Sequence, residues 1–198
     1  MSANGFAPPA GLRCRLTDAA FVASLLPPRA ADTHKGDYGR VFLLCGSRGL
    51  TGAAALAARA CLRTGAGLIS LGVPASVYPI LAVKLDEVMV FPLPEDGEGR
   101  LSPAALPALL PRLAACDACL IGCGLGRGEG VQSVVHALLR ASRVPLIVDA
   151  DGITALRRHK DILRGRKYPT ILTPHDGEFA RAGGVIGEDR MASAAEFA

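Results

Sequence analysis

Aromatic residues are scarce in this chain: tryptophan is absent, and Phe and Tyr together make up 5% of the 198 residues. No stretch has the roughly 18 apolar residues that a membrane-spanning helix needs, and the first residues lack the apolar core of a signal peptide. Basic residues are not clustered, and no aromatic side chains lie between them, so a nucleic-acid surface is not expected. We therefore expect a cytoplasmic protein that contacts neither membranes nor nucleic acids, with its six cysteines as thiols.

Short apolar runs dominate what is present, since half of the residues are hydrophobic and the net charge is only +4. Each run is followed by a Gly-rich or polar turn, a pattern typical of strands that are buried on both faces. The runs lie at 40–46, 67–74, 87–94, 118–124, 144–151 and 169–173. Helical patterns separate them, so the sequence predicts an α/β protein with a mostly parallel sheet and helices on both faces.

Two of the helical segments have recognisable boundaries or interruptions. The Ala-rich segment after the first run is apolar all round, which predicts a well-buried helix that Thr51 or Gly52 could cap and that Gly65 ends. In the segment after the third run, Pro107 and Pro111 predict a kinked or broken helix. The residues between these two helices include 92–100, whose composition predicts an exposed loop.

Two glycine turns connect predicted strands to predicted helices. The turn at 46–54 lacks the Gly-Lys-Ser/Thr core of a P-loop, so it is either an anion site at a helix start or a point of close packing. The second turn, GCGLGRG, would need a third glycine in place of Arg127 to be a Rossmann fingerprint, although Asp149 follows where a ribose-binding acid would lie. A dinucleotide site, another anion- or ligand-binding turn and a simple tight turn are therefore all open.

Carboxylates follow the fifth and sixth runs. In an extended chain Asp149 and Asp151 would face the same way, about 6.5–7 Å apart, and such a pair can hold a hydrated Mg²⁺ beside phosphates. Alternatively, Asp151 caps the next helix. Further on, His175 and Glu178 are three residues apart at a predicted helix start and could converge on one ligand, or serve as a structural histidine and a helix cap.

The cysteines at 116, 119 and 123 have a spacing that suggests a metal site. A strand through 118–122 would separate Cys119 from Cys123 by about 13 Å. Zinc needs sulfur atoms about 2.3 Å from one ion, and a disulfide needs Cα atoms within about 7 Å of each other. We therefore expect buried thiols instead of a metal centre.

Taken together, four segments resemble the NAD(P)H-hydrate dehydratases, metabolite-repair enzymes with a ribokinase-like fold. The segments lie at 34–74, 120–127, 144–153 and 171–181, in the order that the family has, and the resemblance covers nearly all of the chain after about residue 30. It implies that the 6S hydrate of NADH or NADPH, a small-molecule substrate, is converted back to NAD(P)H with ADP or ATP and Mg²⁺. In this reaction the hydrate's hydroxyl is phosphorylated, and phosphate then leaves.

The resemblance also implies site residues. Ala53, Gly124 and His175 would contact the hydrate, and Glu178 would organise Mg²⁺ through water. The positions implied to bind substrate are Ala53, Gly122, Gly124, Gly126, Asp149 and His175.

Family members continue beyond the segment that corresponds to 187–198, to a GGSGD-like motif with the anion hole and the catalytic Asp. No such motif occurs in this sequence. We therefore expect a partial ribokinase-like domain at 31–198 that lacks the C-terminal third, an N-terminal extension with a helix at 1–30, no identifiable catalytic base and no turnover. A sheet edge and core faces without their usual partners favour association into a homo-oligomer.

Three other functions stay open at this point. The first is a ribokinase-like kinase for a vitamin precursor. The second is a Rossmann NAD(P)-dependent oxidoreductase that uses the second glycine turn and Asp149. The third is a non-catalytic nucleotide-binding protein.

Overall fold

A computed structural model of the protein describes residues 17–26, 28–157 and 159–198. Contacts divide the chain into two units, of which the larger is His34–Gly183 and the smaller combines residues of 1–33 with 184–198. The helices, in chain order, are α1 Ala19–Leu25, α2 Thr51–Arg63, α3 Tyr78–Lys84, α4 Leu106–Ala114, α5 Glu129–Ala141, α6 Asp151–Ala155, α7 Asp161–Arg164, α8 Asp176–Arg181 and α9 Arg190–Phe197. Helices α1 and α9 belong to the smaller unit, and the others belong to the larger.

One sheet runs through the larger unit, and each of its strands falls within one of the six apolar runs. The strands are β1 Arg40–Leu44, β2 Leu68–Pro74, β3 Met89–Leu93, β4 Ala118–Ile121, β5 Leu146–Val148 and β6 Thr170–Leu172. Their order across the sheet is β3-β2-β1-β4-β5-β6, and every neighbouring pair is parallel. The predicted α/β class with a parallel sheet is therefore confirmed.

Helices cover both faces of the sheet because the chain reverses direction at β1. From β1 it moves outward through α2 and α3 to β3, and it then crosses to β4 and continues the other way to β6. Right-handed crossovers place the helices of these two halves on opposite faces. On one face α2 packs against α3, β1 and β2, and on the other α5 packs against α4, α6 and α7.

The central strand β1 shows why the interior is well filled. Its side chains alternate between the faces, so Phe42 and Leu44 enter one half of the core while Leu43 enters the other, and all three are buried. Leu43 packs in a cluster with the α2 alanines Ala54 and Ala58. Small side chains on α2 let this helix lie close to the sheet.

Helix α2 differs from its prediction in two ways. It is not buried all round: Ala54, Ala55 and Ala58 face the core, but Leu56 is 71% exposed, because a helix in an outer layer has only one face against the sheet. Its N-cap is Leu50, without a side-chain hydrogen bond, so capping by Thr51 or Gly52 is wrong. Its end is as predicted, with Gly65 at φ +99° directly after the last turn.

The proline-rich region agrees only in part with its prediction from the sequence. Pro103–Ala105 form a turn of 3₁₀ helix before α4, so the helical segment is broken just ahead of Pro107, whereas α4 continues through Pro111 without interruption. The segment 92–100 is not all loop, because Pro92 lies in β3 opposite Val73. β3 is an edge strand, where the missing N–H of proline is tolerated.

The outermost strands are less buried than predicted. Ile171 in β6 is 58% exposed, and its register partner Ile147 in β5 is 38% exposed. Both side chains lie on the same face of the sheet as α2 and α3. These two helices cover only the half of that face formed by β1, β2 and β3. Burial on both faces is therefore confirmed for the middle of the sheet and is wrong for β6, for one face of β5 and for the edge strand β3, where Met89 is 51% exposed.

In the smaller unit, Asp18 caps α1 by accepting a hydrogen bond from the Phe21 N–H, and Asp189 caps α9 through the N–H groups of Met191 and Ala192. None of the helices that the structure describes combines the length and the apolar character needed to cross a bilayer.

Candidate active site

The candidate site lies beyond the carboxyl ends of β1 and β4, where the strand order reverses. In open α/β sheets the crevice at this point is where ligands bind. Two loops meet there: the Gly46 N–H donates to the carbonyl of Cys123 at 2.9 Å, and the buried hydroxyl of Ser47 donates to the carbonyl of Gly124 at 2.9 Å. Both glycine turns of the sequence therefore form one surface, which we call the rim.

Helix α2 touches the second glycine turn directly at Ala53. Gly124 has φ +69°, and a Cβ placed on it would lie 2.8 Å from the Cβ of Ala53 and 3.2 Å from the carbonyl oxygen of Leu50. Cβ atoms do not approach so closely, so only glycine fits at position 124 without a shift of α2. The structure thus brings together two of the predicted site residues, Ala53 and Gly124, which are 71 positions apart in the sequence.

Gly122 and Gly126 join the same turn to the end of β5. A Cβ on Gly122 would lie 1.8 Å from the carbonyl oxygen of Asp149, so no side chain is tolerated there. The Gly126 N–H donates to Oδ2 of Asp151 at 2.9 Å, and Arg127 Nε lies 3.5 Å from Oδ1. The carboxylate of Asp151 therefore orients the turn.

The two aspartates do not face the same way, contrary to the prediction for an extended chain. Strand β5 ends at Val148, and Ala150 between them has φ +48°, which is outside the extended region. Asp151 becomes the first residue of α6, so its predicted role as the cap of that helix is also wrong. Asp149 instead accepts hydrogen bonds from Thr173 Oγ1 at 2.7 Å and from Cys123 Sγ at 3.2 Å.

A line of polar contacts crosses the rim through Asp149. The thiol of Cys45, which follows β1, lies beside Cys123 after β4, and Cys123 donates to Asp149. The neighbouring Cys123 thiol, together with burial, raises the pKa of the Cys45 thiol well above its usual value. With Thr173 as the second donor to Asp149, hydrogen bonds link side chains at the ends of β4, β5 and β6.

The cysteines at 116, 119 and 123 do not converge. Cys116 donates to the carbonyl of Leu113, Cys119 is buried in β4, and Cys123 belongs to the rim. Burial raises the pKa of the Cys119 thiol well above its usual value. Within 17–26, 28–157 and 159–198, no group of three His, Cys, Asp or Glu side chains is arranged to hold a metal ion.

His175 and Glu178 form a capping box at the start of α8. His175 Nδ1 accepts from the Gly177 N–H at 3.0 Å, the His175 N–H donates to Glu178 Oε2 at 3.1 Å, and His175 Nε2 lies 3.2 Å from Glu178 Oε1. Glu178 is 8% exposed, whereas His175 is mostly exposed at the rim. Glu178 therefore serves as a helix cap, and the side chain of His175 is 66% exposed to solvent.

Arg100 is a rim residue that the sequence does not reveal, because it lies in the segment expected to be an exposed loop. Its Nη1 donates to the carbonyl of Arg127 at 2.5 Å, and its side chain lies against Gly126 and Gly128. Arg100 Nε donates a hydrogen bond to Asp96 Oδ2 at 3.0 Å, which anchors the side chain. The Arg100 backbone N–H and its side chain lower the pKa of Asp96, so this anchor is charged at neutral pH.

Ser47, Thr173 and Cys123 were also missed as contributors to the rim. Each contact joins residues at least 24 positions apart, so no local pattern reveals it. The only signal in the sequence was their position just after an apolar run, because polar side chains placed there fall at the carboxyl edge of a parallel sheet.

The fold and rim define an α/β protein of the ribokinase-like class. A ribokinase-like superfamily protein from Enterococcus faecalis has a crystal structure with a TM-score of 0.72 and 26% identity, matched over 86% of this chain and 57% of that one. A family model described as NAD(P)H-hydrate dehydratase matches residues 41–198. The chain belongs to the NAD(P)H-hydrate dehydratase family.

Two further relatives bear on function. The bifunctional NAD(P)H-hydrate repair enzyme Nnr of Moorella thermoacetica is 48% identical over 188 residues, which are 93% of this chain and 36% of that protein. The ADP/ATP-dependent NAD(P)H-hydrate dehydratase of Bacillus subtilis, crystallised with ATP and Mg²⁺, is 32% identical with a TM-score of 0.66, over 90% of this chain and 59% of that one. The chain thus spans between about a third and three-fifths of the length of these relatives.

The alternatives are not favoured by these findings. The strand order is the one that dinucleotide-binding Rossmann proteins also have, so the order alone does not separate the two classes. Arg127 still occupies the place of the third fingerprint glycine, and the family match extends through the whole sheet.

Proposed function

We propose that this chain binds the hydrate of NADH or NADPH at the rim and acts in its ADP- or ATP-dependent dehydration back to NAD(P)H. The observation that carries the proposal is the close approach of Ala53 to Gly124 beside the Asp149–Thr173 hydrogen bond. These two contacts support one continuous surface made from the loops that follow β1, β4, β5 and β6. We infer the substrate of that surface from the family match.

The rim offers hydrogen-bond donors of the kind that phosphoryl transfer to the hydrate would require. Hydroxide is a poor leaving group and phosphate a good one, so transfer of a phosphoryl group to the hydrate's hydroxyl makes its departure easy. Phosphoryl transfer depends on positioned donors and on neutralised charge more than on covalent chemistry of the protein. Backbone N–H groups in the turns that contain Gly46 and Gly124 can approach a ligand closely because no side chains intervene.

Each predicted substrate residue has a proposed role on this surface. Ala53 and Gly124 form its floor, His175 offers an exposed ring at its edge, and Gly122 and Gly126 keep the turn in its present conformation. Asp149 holds Thr173 and Cys123 in place. We assign no catalytic base to this chain.

Two carboxylates fit a role beside Mg²⁺. Asp149 and Glu178 are hydrogen-bonded by hydroxyl, thiol, backbone and imidazole groups, and in the described part of the chain neither pairs with a lysine or arginine. Because both Glu178 oxygens already have partners, the residue would hold the ion through water instead of directly. Bound Mg²⁺ would neutralise charge on the phosphate groups of the nucleotide.

Titration of the chain with the purified hydrate tests the proposal. We expect saturable binding that is weakened by about tenfold in His175→Ala, as expected for loss of one hydrogen bond. His34→Ala is the matched control, because His34 is an exposed histidine before β1, away from the rim. An unchanged affinity in His175→Ala would remove His175 from the site, and absence of hydrate binding by the unmodified chain would contradict the function.

A second assay adds ADP or ATP with Mg²⁺ and follows the return of the reduced-nicotinamide absorbance. Because no base is assigned to this chain, we expect binding without turnover. Robust recovery of NADH would show that a base lies within the 198 residues. Hydride transfer to or from an alcohol would instead favour the oxidoreductase alternative.

We also propose that the protein is cytoplasmic and self-associates. Ile147 and Ile171 are adjacent and exposed on the outer strands, which supports association of copies through this face. Free thiols at the five described cysteines support a reducing compartment. Ile171→Lys should reduce the mass measured by light scattering if the face is an interface between copies.

A further inference from the structure

A basic cleft lies in the larger unit at the C-terminal ends of α6 and α8. Its volume is about 510 Å³, and it opens to solvent. The residues that line it are Arg157, Lys160, Ala180, Arg181, Ala182 and Gly183. The N-terminal ends of the same two helices carry Asp151 and His175 of the rim, so the cleft is separated from the rim by the length of these helices.

Positive charge without compensation distinguishes this cleft. Of the six described residues that line it, three are cationic, namely Arg157, Lys160 and Arg181, and none is acidic. Across residues 17–26, 28–157 and 159–198, no carboxylate forms an ion pair with any of the three. The charge of these three cations would attract an anion into the cleft.

Helix ends alone do not account for all three cations. Arg181 lies in the last turn of α8, where a positive charge complements the helix dipole. Its Nε, however, is buried and has no hydrogen-bond partner in the described part of the chain. A buried donor without a partner is unfavourable, and movement of the Arg181 side chain towards an acceptor in the cleft would remove that cost.

Phosphate fits the shape and chemistry of the cleft. A guanidinium group can donate two parallel hydrogen bonds to two phosphate oxygens, and an ammonium group adds a compact charge. The lining is otherwise Ala180, Ala182 and Gly183, whose small side chains leave room for a ligand. A Cβ on Gly183 would lie 3.8 Å from Lys160 Nζ, so a larger side chain at Gly183 would crowd the ammonium group.

We propose that this cleft is a binding site for the phosphate group of a small metabolite, held by Arg157, Lys160 and Arg181. The site does not depend on the function proposed for the rim, and its test involves no hydrate. The phosphate could be free or carried by a nucleotide, so inorganic phosphate, pyrophosphate and ADP serve as separate probes.

Isothermal titration of the full chain at low ionic strength tests the site. We expect saturable binding of pyrophosphate, weakened at least about tenfold in the double variant Arg157→Gln with Lys160→Gln, because charge-assisted hydrogen bonds are lost. Both residues are exposed, so the variant should keep its fold, which circular dichroism checks. Arg181→Gln should weaken binding by a similar factor.

The matched control is Arg140→Gln with Arg164→Gln. These arginines are also exposed and lie outside the cleft, in the last turns of α5 and α7, so the control removes the same charge from a different part of the larger unit. We expect its affinity for pyrophosphate to stay within about twofold of the unmodified chain, since exposed charges are screened.

The outcomes separate clearly. Binding of ADP but not of inorganic phosphate or pyrophosphate, lost in the cleft variant, supports the site with a nucleotide as the source of the phosphate. Binding of the inorganic probes supports it with free phosphate as a source. Equal weakening in the cleft variant and the control would show a general charge effect and overturn the proposal, as would the absence of saturable binding for all three probes.

Discussion

Replacement of Gly124 by alanine tests the contact between the second glycine turn and α2, on which the geometry of the rim depends. The new methyl group would lie 2.8 Å from the Cβ of Ala53, which is fixed to the α2 backbone and cannot rotate away. It would also place an L-residue at φ +69°, in the left-handed region. Two separate penalties therefore apply to one substitution.

The magnitude follows from these two penalties. A left-handed conformation costs an L-residue roughly 1–2 kcal/mol, and overpacking of a well-filled region costs roughly 1–3 kcal/mol. We expect Gly124→Ala to lower the free energy of unfolding by about 2–5 kcal/mol, a large share of the roughly 5–15 kcal/mol that stabilises a typical domain.

Gly49→Ala separates the two penalties. Gly49 has φ +83°, but a Cβ there would meet nothing within 4 Å, so this variant should lose only the roughly 1–2 kcal/mol of the left-handed conformation. Ala53→Gly removes the methyl group with which the new Cβ at position 124 would clash. In the double variant of Ala53 and Gly124, the loss should be smaller than the sum of the single losses by about 1–3 kcal/mol.

Urea unfolding followed by circular dichroism measures all four variants, and the slope with denaturant should stay constant. Hydrate affinity, measured in parallel, should fall in Gly124→Ala. The reasoning is refuted if Gly124→Ala costs no more than Gly49→Ala, or if Ala53→Gly recovers none of the loss.

Three further changes test other contacts. Ser47→Ala removes the buried hydroxyl that binds the Gly124 carbonyl and should cost about 1–3 kcal/mol of unfolding free energy; an unchanged urea midpoint would contradict this. Arg166→Met loses the hydrogen bonds to Thr170 Oγ1 and to the carbonyls of α5 and the loop after it, so the free energy of unfolding should fall by roughly 2–4 kcal/mol. A loss below about 1 kcal/mol would show that these hydrogen bonds contribute little to stability. Burial lowers the pKa of His136 below its ordinary 6.5, so the folded state favours the neutral ring. The contribution of His136 to the free energy of unfolding should therefore be fully present above pH 6.5 and be lost as the pH falls. In His136→Gln, the free energy of unfolding should fall less steeply with decreasing pH. Equal pH slopes for the two proteins would show that His136 does not titrate on unfolding.

The strands could be predicted because their signal is local. Each apolar run is short and ends in a turn, and the residues that make it a strand are neighbours in the chain. Gly65, directly after the last turn of α2, likewise acts on the helix next to it in the chain. Burial at the edges was less predictable: the run that contains Ile171 looks like a central strand, and only the sheet order shows that it lies outermost.

The rim was predictable as a place but not as a set of contacts. A parallel sheet brings the ends of its strands to one edge, so residues that follow apolar runs, such as Asp149 and His175, could be assigned to that edge. The sequence does not show that Ala150 turns the chain and separates Asp149 from Asp151. It also does not show that Arg100 reaches the carbonyl of Arg127.

The sequence by itself determined the α/β class, the approximate strand positions and the resemblance to one enzyme family, since apolar periodicity, glycine turns and motif order are all properties of neighbouring residues. Only the tertiary structure decided which groups meet: Ala53 with Gly124, Cys45 with Cys123, and three cations around one cleft. The physical reason is that hydrogen bonds and close packing act over a few ångströms in space, and the fold alone brings distant parts of the chain within that range.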